Sequence, residues 1–301
     1  MHKRGGPFVT HTENRSPYIL VAADNSTEAR AAAEAAIQVA QNQNLAIRGL
    51  YVVDEALALE TYANYHAELP PLPMASNSDS REPTSRAELM SWFETQGDVA
   101  LNWLQTACDE AGIPVTTSLQ AGGVAELLTR DAGKAQMLAI GRRGHSHRGD
   151  SKSLGHNFRK IAHQLHLPML VGGLTSPSLH RLLLAYHGLA HADEALSWTA
   201  RLQRSLSAEV IVLSVCEDTK FCLSGITLED IKARIAHSGL DDYRLISAQG
   251  RPSTAMAVEA AANDVDLIIL GSYRHGALLE WFVGSTVDRL LRATSLPILI
   301  A

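Results

Sequence analysis

Short apolar runs, each ended by a polar turn or a glycine, alternate along this chain with longer segments whose apolar residues recur at helical spacing. The run YILVAA from Tyr18 empties into DNST and then an Ala-rich segment, and RLLLAY from Arg181 empties into HGLA and a second one. Each pair is followed by a β-branched run, LAIRGLYVVDEA in the first half and AEVIVLSVCEDT in the second. Two buried-strand runs then stop at glycines, MLAIG at Gly141 and LIILG at Gly271. Both halves finish on one phrase, a glycine turn, a helical segment, Leu-Pro and a short apolar strand: LGHNFRKIAHQLHLPMLVGG and VGSTVDRLLRATSLPILIA.

Apolar runs of this length alternating with helical segments predict βαβ units and parallel sheets covered by helices on both faces. The repetition predicts two copies of one β-α-β-α-β-α-β-α-β unit. Strands are expected near 18–23, 46–53, 113–120, 136–140 and 168–172, then near 181–186, 209–215, 242–248, 266–270 and 296–300. The fold class is therefore α/β, with two tandem open five-stranded parallel-sheet domains of Rossmann-like type. Domain one is placed at 16–173 and domain two at 179–301, each with a sheet of its own. The link GGLTSPSLH, residues 172–180, has the Gly, Ser and Pro content of a short exposed connection between independently folded units. The first copy is longer because of an insertion at about 54–86, where HAELPPLPMASNSDSREPTSR reads as a surface excursion, either a tolerated loop or a partner-docking segment. A helix follows through MSWFETQGDVALNWLQTACDEAG, capped by Gly112.

Composition narrows the function. A formal charge of −6 over 301 residues opposes general affinity for nucleic acid. No apolar run has the length of a membrane span, and the polar N-terminus lacks the hydrophobic centre of a signal peptide; a cytoplasmic location is expected. Cys108, Cys216 and Cys222 form no CxxC pair and read as buried thiols.

Ligands of open parallel sheets gather beyond the carboxyl ends of the strands. There the sequence puts DNS and HGL after the first strands, and GRRGHSHRGDSKSLGHN and GSYRHGALLEWFVGST after the fourth. Glycines after a strand allow close backbone approach, and amides opening the next helix can hold a phosphate. Both repeats resemble the universal stress protein (UspA) family, whose ATP-binding members carry G-x2-G-x9-G-(S/T) after the fourth strand. The resemblance covers nearly the whole chain. It implies a stress-response protein that binds an adenine nucleotide, ATP or AMP, in at least one repeat and acts as a regulator or signalling adaptor.

Carried over residue by residue, the resemblance implies a first site of Asp24, Val52, Gly141, Arg142, Gly144, Gly155, His156 and Asn157. Ten residues rather than nine separate Gly144 from Gly155, and His156 stands at the hydroxyl position. The second site comprises His187, Val215, Gly271, Arg274, Gly284, Ser285 and Thr286. There the spacing holds and the hydroxyls are present, but Arg274 replaces a glycine and His187 replaces the Asp. Repeat one keeps the nucleoside end of the motif and repeat two the phosphate end. The resemblance further implies pairing through last strands, which would lay LPMLVGG beside LPILIA as an internal pseudo-dimer. Whether two chains pair further as a homodimer is left open, as is an unknown protein partner.

Other groupings add less. Arg142, Arg143, Arg148, Lys152, Arg159 and Lys160 surround a single acid, Asp150, an excess suited to an anion or to a solvated loop. His145, His147, His156, His163 and His166 have neither the fixed geometry nor the accompanying acids of a metal site, so no metal is predicted. No Walker, GxSxG or HExxH pattern occurs, and no catalytic residue is assigned. The alternatives are a nucleotide-independent interaction scaffold with degenerate ATP motifs, acting through 54–86 or 142–152, and a weak ATPase.

Overall fold

The computed structural model describes residues 16–54, 86–142, 156–189, 192–216, 227–271 and 285–301. The first repeat runs β1 (Tyr18–Ala22), α1 (Thr27–Gln43), β2 (Ala46–Asp54), α2 (Arg86–Glu110), β3 (Val115–Gly122), α3 (Val124–Ala132), β4 (Met137–Ile140), α4 (His156–Gln164) and β5 (Met169–Val171). The second runs β6 (Arg181–Ala185), α5 (Asp193–Leu206), β7 (Glu209–Cys216), α6 (Leu228–Ser238), β8 (Tyr243–Gln249), α7 (Pro252–Ala262), β9 (Leu267–Leu270), α8 (Ser285–Ala293) and β10 (Ile298–Ile300). All ten strands lie within two residues of their expected positions. The insertion expected at 54–86 lies outside the described residues apart from its two ends.

Strand order is β3-β2-β1-β4-β5-β10-β9-β6-β7-β8. Among the described residues, pairing is parallel within each repeat and antiparallel only between β5 and β10, where Ile298 faces Val171, Leu299 faces Leu170 and Ile300 faces Met169. The last strands therefore do lie side by side. Their pairing corrects the expectation of two separate sheets, because an apolar strand with an open edge satisfies its backbone by joining another. Two five-stranded halves become one ten-stranded sheet.

Successive strand residues point to opposite faces, and both faces are apolar. Ile19 and Val21 pack with α1 and α2, whereas Tyr18 and Leu20 pack with α3 and α4. Each face forms a core that crosses the seam. One joins Ala36 and Leu104 to Trp198, Ile231 and Leu299; the other joins Phe158 and Ile161 to Met256, Leu290 and Ile298. In α1, small alanines let the helix lie close to the sheet while it also touches α5 of the other repeat. Ser26 caps its start, accepting from the Ala29 amide at 3.1 Å, and Asn44 ends it in the left-handed region at φ 54°.

The link between repeats is more tightly bound than its composition suggested. Leu174 N–H donates to the Ser295 carbonyl at 2.7 Å, Gln38 donates to the Pro177 carbonyl at 2.7 Å, and Leu179 is buried in the core. A Cβ on Gly172 would stand 1.8 Å from the Glu28 carbonyl oxygen, so only glycine lets the chain pass α1 there. The cysteine expectation also changes. Cys108 is a free buried thiol, but Cys216, where β7 leaves the sheet, is disulfide-bonded.

Candidate functional site

In each repeat the chain builds outward from its first strand in one direction, then returns to the other side for its fourth. That reversal, between β1 and β4 and again between β6 and β9, opens a crevice at the carboxyl ends of the strands. Asp24 follows β1 and Gly141 follows β4, and β2, carrying Val52, lies on the other side of β1. The fold thus brings these three together along one edge. His187, Gly271 and Val215 take the corresponding places after β6, after β9 and on β7.

Around Asp24 the geometry is specific. Its Oδ1 accepts from the Ser26 amide at 2.6 Å, a turn that aims the carboxylate before α1 begins. Tyr51, nearly buried on β2, has its phenol pushed up to about 12, first by burial and then by the charge of Asp24. Asn25 donates to the Gln96 carbonyl at 2.9 Å and to the Gln96 side-chain oxygen at 3.2 Å. Gln96 belongs to α2, which packs so closely that a Cβ on Gly97 would meet the Tyr51 ring at 2.7 Å. Sequence reasoning missed Tyr51 and Gln96. The DNS triplet marked Asn25, but no local pattern marks a contact between α2 and the turn after β1.

The second crevice is chemically different. Tyr186, next to His187, donates to Asp193 Oδ1 at 2.5 Å, and Arg234 donates to Asp193 Oδ2 at 3.1 Å. Burial, followed by this carboxylate, pushes the Tyr186 phenol far above its ordinary range. Asp193 is also the first residue of α5, where the helix dipole favours a negative charge. In repeat two a carboxylate thus lies at the start of α5, six residues after His187, which occupies the position of Asp24.

The phosphate ends are partly described. His156 and Asn157 open α4, and Ser285 and Thr286 open α8, with Thr286 half-buried. Gly144 and Gly155 of the first site, and Arg274 and Gly284 of the second, lie outside the described residues, as do 143–152 of the basic loop. Among the described residues no group of three His, Cys, Asp or Glu could hold a metal ion, and His163 and His166 are exposed.

Two basic residues depart from expectation. Arg142 is 3% exposed, and its guanidinium donates to four backbone carbonyls, three of them in repeat two. It is withdrawn from the candidate phosphate site because those carbonyls hold the side chain away. Arg159 pairs with Asp288 across the seam at 3.2 Å rather than standing ready for an anion.

Comparison with known proteins matches this architecture. The family model described as the universal stress protein family matches residues 18–171 and again 178–301. A universal stress protein of Synechocystis sp. is 24% identical over 202 residues, covering 66% of this chain and 68% of that protein. One from Thermus aquaticus is 26% identical over 131 residues, covering 40% of this chain and 96% of the relative. The crystal structure of a universal stress protein from Archaeoglobus fulgidus superposes with a TM-score of 0.67 at 17% identity, covering 94% of this chain and 95% of that one. At that identity the superposition speaks for the fold alone.

Proposed function

We propose a function from one premise: the chain belongs to the universal stress protein family, as a tandem of two family domains. It binds an adenine nucleotide at the carboxyl ends of its strands, and occupancy serves regulation rather than turnover. Repeat one is the stronger candidate for the nucleoside. The observation that carries this reading is Asp24, oriented by the Ser26 amide beside the β1/β4 crevice, where a carboxylate can accept from ribose hydroxyls. In repeat two the imidazole of His187 offers a single acceptor nitrogen, while the start of α8 supplies backbone N–H and hydroxyl groups suited to phosphate.

A cytoplasmic location and a signalling partner accord with this reading; among the described residues no helix is long and apolar enough to cross a membrane. The rival reading, an interaction scaffold independent of nucleotide, draws support from Arg142, whose engagement removes one cation from the first phosphate end. Calorimetric titration of the full chain with ATP and with AMP, alongside mass spectrometry of natively purified protein, separates the two. The nucleotide reading expects saturable heat that Asp24→Ala diminishes. Absence of heat at millimolar ligand and of co-purifying nucleotide would leave the scaffold.

A further inference from the structure

Arg142 follows Gly141 at the end of β4, yet its side chain serves the other repeat. Nε–H donates to the Gly172 carbonyl at 2.9 Å, Nη1 to those of Leu291 and Thr294 at 2.7 Å each, and Nη2 to that of Leu296 at 2.8 Å. Leu291 lies in the last turn of α8, Thr294 just beyond it, and Leu296 in the approach to β10. Carbonyls at the end of a helix lack intrahelical donors and carry the negative end of its dipole. A planar guanidinium, with donors in a fixed fork, can satisfy several at once, and a buried cation is stabilised by such partners. The residue following Gly271 in repeat two is Ser272, so the sequence carries no arginine at the equivalent position.

The helix held in this way is the one that opens with Ser285 and Thr286. A second tie lies near its start, where Asp288 accepts from Arg159 of α4. Repeat one therefore grips α8 at both ends. We propose that Arg142 is a positioning residue for the repeat-two site: it anchors the C-terminal end of α8 and so fixes where the N-terminal amides and the Thr286 hydroxyl of that helix stand. The inference rests on the reading that α8 receives a phosphate. Release at the C-terminal end leaves the start of the helix restrained by the partly exposed Arg159–Asp288 pair, a weak tie, so the N-terminal end gains freedom to shift. Because Arg142 adjoins Gly141 of the first crevice, the same contact links the two sites, and such coupling acts in both directions.

The test uses the full chain carrying Arg142→Ala or Arg142→Lys, each also in an Asp24→Ala background that isolates repeat two. Hydrogen exchange without ligand reads the anchor. The expected result is exchange over 286–300 accelerated by about tenfold or more, with β1 and β2 unchanged. Calorimetry with ATP reads the site, and affinity in the Asp24→Ala background is expected to fall by about tenfold. Lysine, lacking the fork, restores neither in full. Should Arg142→Ala be insoluble, Arg142→Lys carries both measurements. Unchanged exchange over 286–300 overturns the proposal. So does faster exchange with undiminished ATP affinity in repeat two. If the wild-type chain itself binds no ATP, the nucleotide reading fails and the claim that α8 is positioned for a phosphate fails with it. The exchange measurement then still decides whether Arg142 is the anchor.

Discussion

Arg159 and Asp288 are the fourth residues of α4 and α8, equivalent positions in the two repeats, and they meet across the seam at 3.2 Å. In an isologous dimer of identical subunits, a residue near the axis meets its own copy, and a charged residue there repels itself. Joining two copies in one chain allows such a position to diverge into opposite charges. The pair is partly exposed, and Asp288 also accepts from Arg292 at 2.9 Å, so its coupling is worth no more than about 1 kcal/mol. Arg159→Asp is expected to destabilise the chain by setting two carboxylates together. The exchanged double variant, Arg159→Asp with Asp288→Arg, recovers only part of the loss in a urea-denaturation cycle, because a guanidinium at 288 stands beside Arg292. Recovery absent from that cycle would show that the contact is incidental.

Gly172→Ala places a methyl group against the backbone of α1, where its carbon would lie 1.8 Å from the Glu28 carbonyl oxygen. Neither partner is a flexible side chain, so relief requires movement of α1 or of β5. The expected cost is about 3 kcal/mol, at the upper end of ordinary overpacking. Chemical denaturation would read it as a lower midpoint, and a near-neutral result would mean that the link does not hold its close course.

Cys108 is buried on α2, and burial, with a smaller contribution from Asp109, pushes its thiol up to about 11. The folded state favours the neutral thiol. Its contribution is therefore complete below the unfolded value near 9 and is lost as pH rises through 11. Between about pH 8 and 10.5 the wild-type chain should lose more stability than Cys108→Ala. At about pH 8 the native thiol should also resist alkylation that proceeds readily in urea. Rapid alkylation of the native chain would contradict the burial.

Because both apolar cores cross the seam, the two repeats should unfold together. Trp103 of repeat one and Trp198 of repeat two lie in or against the same core, so tryptophan fluorescence and circular dichroism should give coincident transitions. Removing residues 297–301 takes β10 from the middle of the sheet, leaving β5 and β9 with open edges. The expected product is aggregation of the whole chain rather than a stable repeat one. A soluble truncated chain with native exchange protection in β1 and β4 would refute this unity.

The scaffold was legible because burial on both sheet faces writes each strand as an uninterrupted apolar run. MLAI before Gly141 and LIIL before Gly271 are such runs, and the structure places β4 and β9 there. Family resemblance supplied the pairing of LPMLVGG with LPILIA, which no local pattern dictates. The destination of Arg142 was hidden for a related reason. Its carbonyl partners in repeat two lie about 150 positions away, and an arginine in a glycine-rich turn carries no local sign of being buried. Gln96 was equally silent, since its role depends on how α2 crosses the turn after β1. Asp24 was named through the family resemblance, and the contact that orients it, from the Ser26 amide, lies within its own tripeptide.

The seam of β5 and β10 is made within one polypeptide, with residues 172–180 as its tether. Joining through so short a connection gives the partner surface an effective concentration on the millimolar scale at any dilution. An assembly of separate subunits thins out as copies become scarce, whereas this one arrives already paired. Were it to bind a ligand as proposed, its occupancy would follow ligand concentration without a further dependence on how many copies of the chain are present.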